Sequence, residues 1–236
     1  MNKVFFVVFG LMLLGTVSVA EAQSGSDEWQ FQIAPLYLWA ISVDGTMTIR
    51  DRFEQDFRLD FSDAFDNLEG AFTVHFEAAK GRWGLMADMT YLSLGGSQDI
   101  NTPGGSADID ITMKILEGGG GYSFADNWWV IAGVRYFKID TGIRFQLDIA
   151  PEIDIGDSWT DVFAGLLWRP KLGERWTFSG RFDVGAGGSD LVWNAHAIID
   201  FQIGKWAAIL FGYRHLDYDY TNENGGVVYD ASLSGP

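Results

Sequence analysis

The chain has 236 residues, among them 18 Phe, 10 Trp and 29 Gly but no Cys, and its formal net charge at pH 7 is −16. This acidic balance argues against a nucleic-acid partner, since a polyanion would be repelled and no basic patch is visible. The mean hydropathy of +0.04 excludes a bundle of membrane helices but is compatible with a membrane barrel, in which apolar and polar residues alternate.

The N-terminal residues have the pattern of an export signal. Lys3 precedes an uncharged apolar run over 4–20, and Ala20-Glu21-Ala22 places small residues at the two positions that signal peptidase reads. We therefore predict a signal peptide at 1–22 and an exported mature domain at 23–236. The alternative is an uncleaved anchor helix, for which the run is slightly short, because a span needs about 20 residues.

Alternation of apolar and polar residues recurs along the rest of the chain. Examples are Phe72, Val74 and Phe76 in the first such segment, and Val162, Ala164, Leu166 and Trp168 in a later one. Each segment has about ten residues, which is the length that a tilted strand needs to cross a bilayer. Alternation alone does not distinguish a membrane barrel from a soluble sandwich.

Turns and aromatic residues make that distinction. Short turns at 80–82, 125–127, 172–175 and 204–205 are each followed at once by tryptophan, and longer polar connections lie near 95–108, 141–158 and 221–226. Short turns on one side, long loops on the other and aromatics at one height are typical of an outer-membrane barrel. The predicted membrane-interface aromatics are Trp83, Trp128, Trp129, Trp176 and Trp206.

The expected fold is thus all-β, a closed antiparallel up-and-down transmembrane barrel of about ten strands. The predicted strands are 29–43, 70–79, 83–94, 108–123, 128–141, 158–170, 176–187, 190–203, 206–220 and 227 onward. Residues 44–69 could form an external excursion with its own hairpin, or a further strand pair with a short helix at 62–68. The Asp44-Gly45 pair is a turn signal there, so eight or twelve strands stay possible.

In such a barrel the polar register of each strand faces the lumen. Arginine in the middle of an apolar strand then lies inside, where an unpaired charge would cost several kcal/mol. The predicted lumen charge network is Glu77, Asp88, Glu117, Arg135, Asp161, Arg181, Asp183, Asp200 and Arg214. We expect Arg135, Arg181 and Arg214 to pair with carboxylates such as Glu77, Asp88 and Asp183, and His75 and His196 to share this register.

Several segments also resemble a known group of proteins. The stretches "LYLWAISVDGTM", "FEAAKGRWGLMADMTYLSL" and "DVFAGLLWRPKLGERWTFSGRFDVGAGG" are similar to small proteobacterial outer-membrane β-barrel proteins, usually described as uncharacterised or porin-like. The resemblance covers nearly the whole mature chain and implies the barrel fold. It carries no catalytic motif and implies no substrate.

The C-terminal stretch departs from that resemblance. Such barrels end with an aromatic residue that the barrel assembly machinery recognises, whereas this sequence stops at "SLSGP". Val227, Tyr229, Ala231 and Leu233 begin an alternation that we expect to face lipid. The C-terminal strand is therefore expected to be truncated.

Catalysis, metal binding and cofactors have little support in the sequence. His75, His196 and His215 stand in no local motif with a nucleophile, so no catalytic residue is assigned. The acidic stretch with Asp148, Glu152, Asp154, Asp157 and Asp161 matches no calcium loop. We expect a protein that is not an enzyme, with no metal and no cofactor.

Two functions fit an outer-membrane protein of a Gram-negative bacterium with these features. One is porin-like, with narrow or gated passage of small solutes through the charged lumen; the other is a closed structural or surface-interaction barrel without transport. The expected partners are outer-membrane lipid, lipopolysaccharide and the barrel assembly machinery. The sequence leaves the oligomeric state open.

Overall fold

A computed structural model describes residues 18–19, 27–35, 42–49, 53–59, 68–100, 105–145, 153–203, 208–222 and 227–236. These residues form thirteen β-strands. The strands are β1 (Ser18–Val19), β2 (Gln30–Pro35), β3 (Ser42–Ile49), β4 (Phe53–Leu59), β5 (Leu68–Lys80), β6 (Trp83–Ile100), β7 (Gly105–Ala125), β8 (Trp128–Phe145), β9 (Ile153–Trp168), β10 (Trp176–Gly187), β11 (Leu191–Gln202), β12 (Ala208–Asn222) and β13 (Val227–Gly235). No helix among the described residues has the length and apolar character needed to cross a bilayer.

The strands belong to one antiparallel sheet in the order β1-β2-β5-β6-β7-β8-β9-β10-β11-β12-β13-β3-β4. From β5 to β13 each strand pairs with the next one along the chain, so the expected all-β, up-and-down antiparallel arrangement is confirmed. Of the predicted signal peptide at 1–22, only Ser18 and Val19 are described, and they pair with β2.

The uncertain region 44–69 contains a hairpin. Strand β3 pairs with β13 on one side and with β4 on the other, so this region adds a further strand pair to the sheet. The turn expected at Asp44-Gly45 was wrong, because both residues lie within β3 opposite Ser232 and Ala231. A Cβ at Gly45 would lie 2.5 Å from the carbonyl oxygen of Asp230, so glycine allows a close backbone approach here rather than a turn. The helix expected at 62–68 falls mostly outside the described residues, and Leu68 begins β5.

Tight turns join the strands at the end of the sheet where the tryptophans lie. Gly81 and Asn127 have φ of 61° and 64°, as two-residue hairpin turns require. The backbone N–H of Arg169 donates to the carbonyl oxygen of Asn127 at 2.8 Å, which holds the connection after β9 at the same end. The expected short turns near 80–82 and 125–127 are therefore present.

At the other end the strands are longer than predicted. The segments 95–108 and 141–158 were expected as loops, but β6 reaches Ile100, β7 begins at Gly105, β8 reaches Phe145 and β9 begins at Ile153. Gly, Ser and Asp are frequent in this part, which weakens the apolar alternation. Strand pairing needs only backbone N–H and C=O groups, so polar strands continue where the alternation signal has ended.

Candidate functional site in the interior of the sheet

One face of the sheet is buried and the other is exposed. Charged side chains lie on the buried face and large apolar side chains on the exposed face, the reverse of a soluble protein. Large apolar side chains are exposed on one face, among them Val130, Val134, Val162, Leu166, Phe182, Val184, Phe211 and Tyr213. The charged side chains of Glu117, Arg135, Asp161, Arg181 and Asp183 are buried on the other face. The alternation in the sequence therefore separates these faces as expected on β8, β9, β10 and the first half of β12.

The buried face is concave, since its side chains reach across several strands. Glu77 on β5 contacts Arg169 just after β9, and Phe137 on β8 packs against Tyr229 on β13 with ring centroids 6.2 Å apart. Neither pair lies on neighbouring strands in the sheet. The sheet thus curls around an interior that is filled by side chains.

Four charged side chains form a closed ring in this interior. The guanidinium of Arg135 lies 2.8 Å from the carboxylates of both Glu117 and Asp183. Arg181 bridges the same two carboxylates, at 2.6 Å to Glu117 and 2.7 Å to Asp183. The side-chain exposure of the four ranges from 0 to 6 %. Positive and negative groups alternate around the ring, so each buried charge has two partners of opposite sign.

An aromatic ring fills the space beside this ion-pair ring. The guanidinium carbons of Arg135 and Arg181 both lie 5.0 Å from the ring centroid of Phe163, within cation–π distance. Gly133 makes room for Phe163, because a Cβ at that position would lie 2.7 Å from the Phe163 ring. Charge pairing and aromatic packing therefore join four neighbouring strands, β7 to β10.

Polar groups extend the ring toward β11 and β12. Asn194 donates to Asp183 at 2.8 Å and accepts from Arg214 Nε at 2.9 Å. Arg214 Nη2 is 3.9 Å from Glu117. Asp161 is buried separately and accepts from the backbone N–H of Ser189 at 2.8 Å, which fastens the β10–β11 turn to the interior.

A second cluster lies nearer the end with the tight turns. Arg169 donates to both carboxylate oxygens of Glu77 at 2.7 Å. His75 lies 3.0 Å from Glu77 and 2.9 Å from Asp88, and Asp200 is half-buried on the same face. Glu77 was expected as a partner of Arg135, Arg181 or Arg214, and this pairing was wrong, because Glu77 pairs with Arg169 and His75.

Sequence reasoning assigned neither Arg169 nor Asn194 to the network. Arg169 lies just beyond the last residue of β9, where the alternation ends. Asn194 is uncharged, so a prediction based on inward charges does not include it. Asn194 could have been found from its position between the outward residues Trp193 and Ala195, which places its side chain inward.

Above the ion-pair ring, toward the long strands, the interior is aromatic. Trp159 stacks on Tyr220 at 3.9 Å and on Phe137 at 4.6 Å, and Phe137 contacts Tyr218 at 4.7 Å. Tyr229, Ala231 and Leu233 of β13 are buried in this cluster. The expectation that these β13 residues face lipid was therefore wrong.

The outward tryptophans lie in aromatic pairs at the turn end. Trp83 packs against Tyr122 at 4.9 Å, Trp128 against Trp168 at 5.7 Å and Trp176 against Phe201 at 4.4 Å. Trp129 differs, since it is 8 % exposed and packs inside with Ile131, Phe163 and Leu167. Its placement with the interface aromatics was wrong, because neighbours in a strand point to opposite faces. Trp206 lies outside the described residues.

The chemistry available to these groups is limited by geometry. Among the described residues, no three His, Cys, Asp or Glu side chains are arranged to hold a metal ion. On the outward face His215 Nδ1 lies 2.5 Å from Ser234 Oγ, while its Nε2 lies 3.9 Å from Asp217.

Neither a protein-family model nor a curated protein matches the sequence. Among solved structures the chain is similar to Ail, the attachment invasion locus protein of Yersinia pestis, in a complex with the heparin analogue sucrose octasulfate. The identity is 10 %, the similarity covers 83 % of this chain and 92 % of that chain, and the TM-score is 0.38. A similarity of this size establishes neither a shared family nor a shared function.

Proposed function

We propose that this chain is a transmembrane β-barrel of the Gram-negative outer membrane, sealed by its own side chains, with a structural or surface-interaction role rather than an open pore. The inverted distribution of side chains carries the proposal: buried ion pairs inside and apolar side chains exposed outside. Such a distribution suits lipid around the sheet. Export through the signal peptide and insertion by the barrel assembly machinery are parts of the same proposal.

Closure of the barrel is supported by the partners of β2 and of β3. Strand β2 pairs with β5 at one end of the meander, while β3 pairs with β13 at its other end. Only six residues, 36–41, separate β2 from β3 in the chain. The two ends of the meander are thus paired with strands that are close in sequence, as a closed barrel would require. Among the described residues the sheet itself ends at β1 and β4.

The sealed interior favours the structural role over porin-like passage. Arg135, Asp161, Asp183 and Asn194 are inaccessible to water, and so are Phe137, Leu216, Tyr218 and Leu233 above them. A solute would have to displace both layers. Barrels of this small size hold side chains rather than an aqueous channel.

The conductance of the purified protein tests this proposal. In planar bilayers we expect no single-channel steps from the wild-type protein, with a wide-lumen porin as the positive control. The same sample should migrate differently on gels before and after heating, which shows that the barrel is folded. Stable conductance steps from folded protein would favour the porin-like alternative instead.

Cysteine labelling tests the orientation, and the natural absence of cysteine makes single-cysteine variants clean. We expect Asp154→Cys on the exposed long end of β9 to react with an impermeant thiol reagent on intact cells, whereas Gly173→Cys at the turn end should react only after lysis. The opposite pattern would invert the orientation, and equal labelling of both in a soluble fraction would contradict the membrane location.

A further inference from the structure

An apolar groove crosses the outward face of β5 to β9. It has a volume of about 430 Å³, and its lining includes the outward residues Phe76, Met89, Leu116, Val134 and Tyr136. Gly118 lies at its floor, where a Cβ would meet nothing within 4 Å. The groove therefore exists because an outward position of β7 carries no side chain.

Two lysines lie at one end of this groove. Lys114 is two residues beyond Leu116 in the outward register of β7, and Lys138 is two residues beyond Tyr136 on β8; the two lysines are directly opposite each other. Like charges in such a cross-strand position repel. An anion bound between the two ammonium groups would relieve this repulsion.

Contacts within the chain do not strongly neutralise the ammonium groups of Lys114 and Lys138. The ammonium of Lys114 lies 5.9 Å from the Tyr91 ring centroid, and among the described residues it contacts no carboxylate. Lys138 pairs with Asp140 at 3.0 Å, but the two side chains are 37 % and 43 % exposed. An exposed pair of this kind is weak and can yield to a competing anion.

The height of the lysines matches a lipid head group. Tyr122, which packs on Trp83 at the turn end, is eight residues after Lys114 in the same register of β7. Eight residues of strand span about 27 Å, or about 20 Å along the membrane normal at the usual tilt, close to the height of the apolar band of such barrels. The groove thus lies in the hydrocarbon, and the lysines lie at the interface away from the tight turns.

We propose that the groove and the Lys114–Lys138 pair form a binding site for one phosphate-bearing lipid of the adjacent leaflet. An acyl chain occupies the groove over Gly118, and the head-group phosphate is held between the two ammonium groups. This site rests on the proposed membrane location. It adds a specific ligand to a protein whose interior is closed.

The test is native mass spectrometry of the folded protein in detergent, titrated with phosphorylated lipid A and with its dephosphorylated form. We expect the wild-type protein to retain one phosphorylated lipid molecule. Each lysine near a charged lipid surface contributes about a fivefold factor, so Lys114→Gln with Lys138→Gln should weaken retention about 30-fold. Gly118→Ile should weaken it about fivefold by filling the groove.

Matched controls separate specific from general effects. Lys80→Gln removes an exposed lysine at the turn end, and Ala197→Ile enlarges an outward residue of β11; both should retain lipid like the wild type. Equal retention of the dephosphorylated lipid, or displacement by millimolar inorganic phosphate alone, would overturn the head-group site, and unchanged retention by Gly118→Ile would overturn the groove. Heat-dependent gel migration of the same samples shows whether each variant is folded. The bilayer current of these samples tests the sealed interior separately from lipid binding.

Discussion

Replacing Arg135 by alanine is expected to lower the free energy of unfolding by about 3–5 kcal/mol, the usual cost of removing one partner of a buried ion pair. Arg135 is inaccessible to water and bonds both Glu117 and Asp183. Its loss leaves each carboxylate with Arg181 as the only close partner in the ring. Urea unfolding in lipid vesicles, followed by gel migration of unheated samples, measures the change.

Two control variants distinguish the loss of a buried ion pair from the loss of any cation. Lys138→Ala removes a cation from the exposed pair with Asp140, and it should cost at most about 1 kcal/mol. The double variant Arg135→Met with Glu117→Met removes one charge of each sign and leaves the Arg181–Asp183 pair intact. It should be more stable than Arg135→Ala alone. Equal stability of Arg135→Ala and Lys138→Ala would show that the ring is not buried as described.

The strand pattern could be predicted from the sequence wherever one face of the sheet is apolar and the other polar. Val130, Val134 and Arg135 show this, since the valines are exposed and the arginine is buried. The pattern fails in the long ends of β6 and β7, where backbone pairing persists without apolar alternation. There the sequence predicts loops because neither face is required to be apolar.

The inward position of each arginine was predictable, but its partners were not. The Arg181–Glu117 contact joins β10 to β7, across two intervening strands, and depends on how strongly the sheet curls. Period-two alternation gives the face of a residue and contains no information on curvature. The same limit explains why Glu77 was assigned to the central arginines rather than to Arg169.

Strand β13 shows a different limit, in the identity of the faces. Tyr229, Ala231 and Leu233 alternate with polar residues as a lipid-facing strand would, yet they are buried. The interior changes from ion pairs to aromatic rings along the length of the strands, with Phe137 and Trp159 packed against this strand. Where the interior itself is apolar, an apolar register can face inward.

Leucine truncation on the two faces tests the reassignment of β13. Leu233 is 0 % exposed and Leu166 on β9 is 46 % exposed. Leu233→Ala is expected to cost about 2–5 kcal/mol, since it loses the transfer free energy of the side chain and leaves a cavity among rigid aromatic rings. Leu166→Ala loses only part of the transfer term, about 2 kcal/mol or less, because in the proposed membrane location lipid chains fill the space outside the sheet. Urea unfolding of both variants in the same vesicles gives the comparison directly.

If the two substitutions lower the free energy of unfolding equally, the β13 side chains face lipid and the aromatic cluster is not enclosed by β13. A larger cost at Leu233 places β13 against Phe137 and Trp159, and with it the apolar layer that seals the interior above the ion pairs.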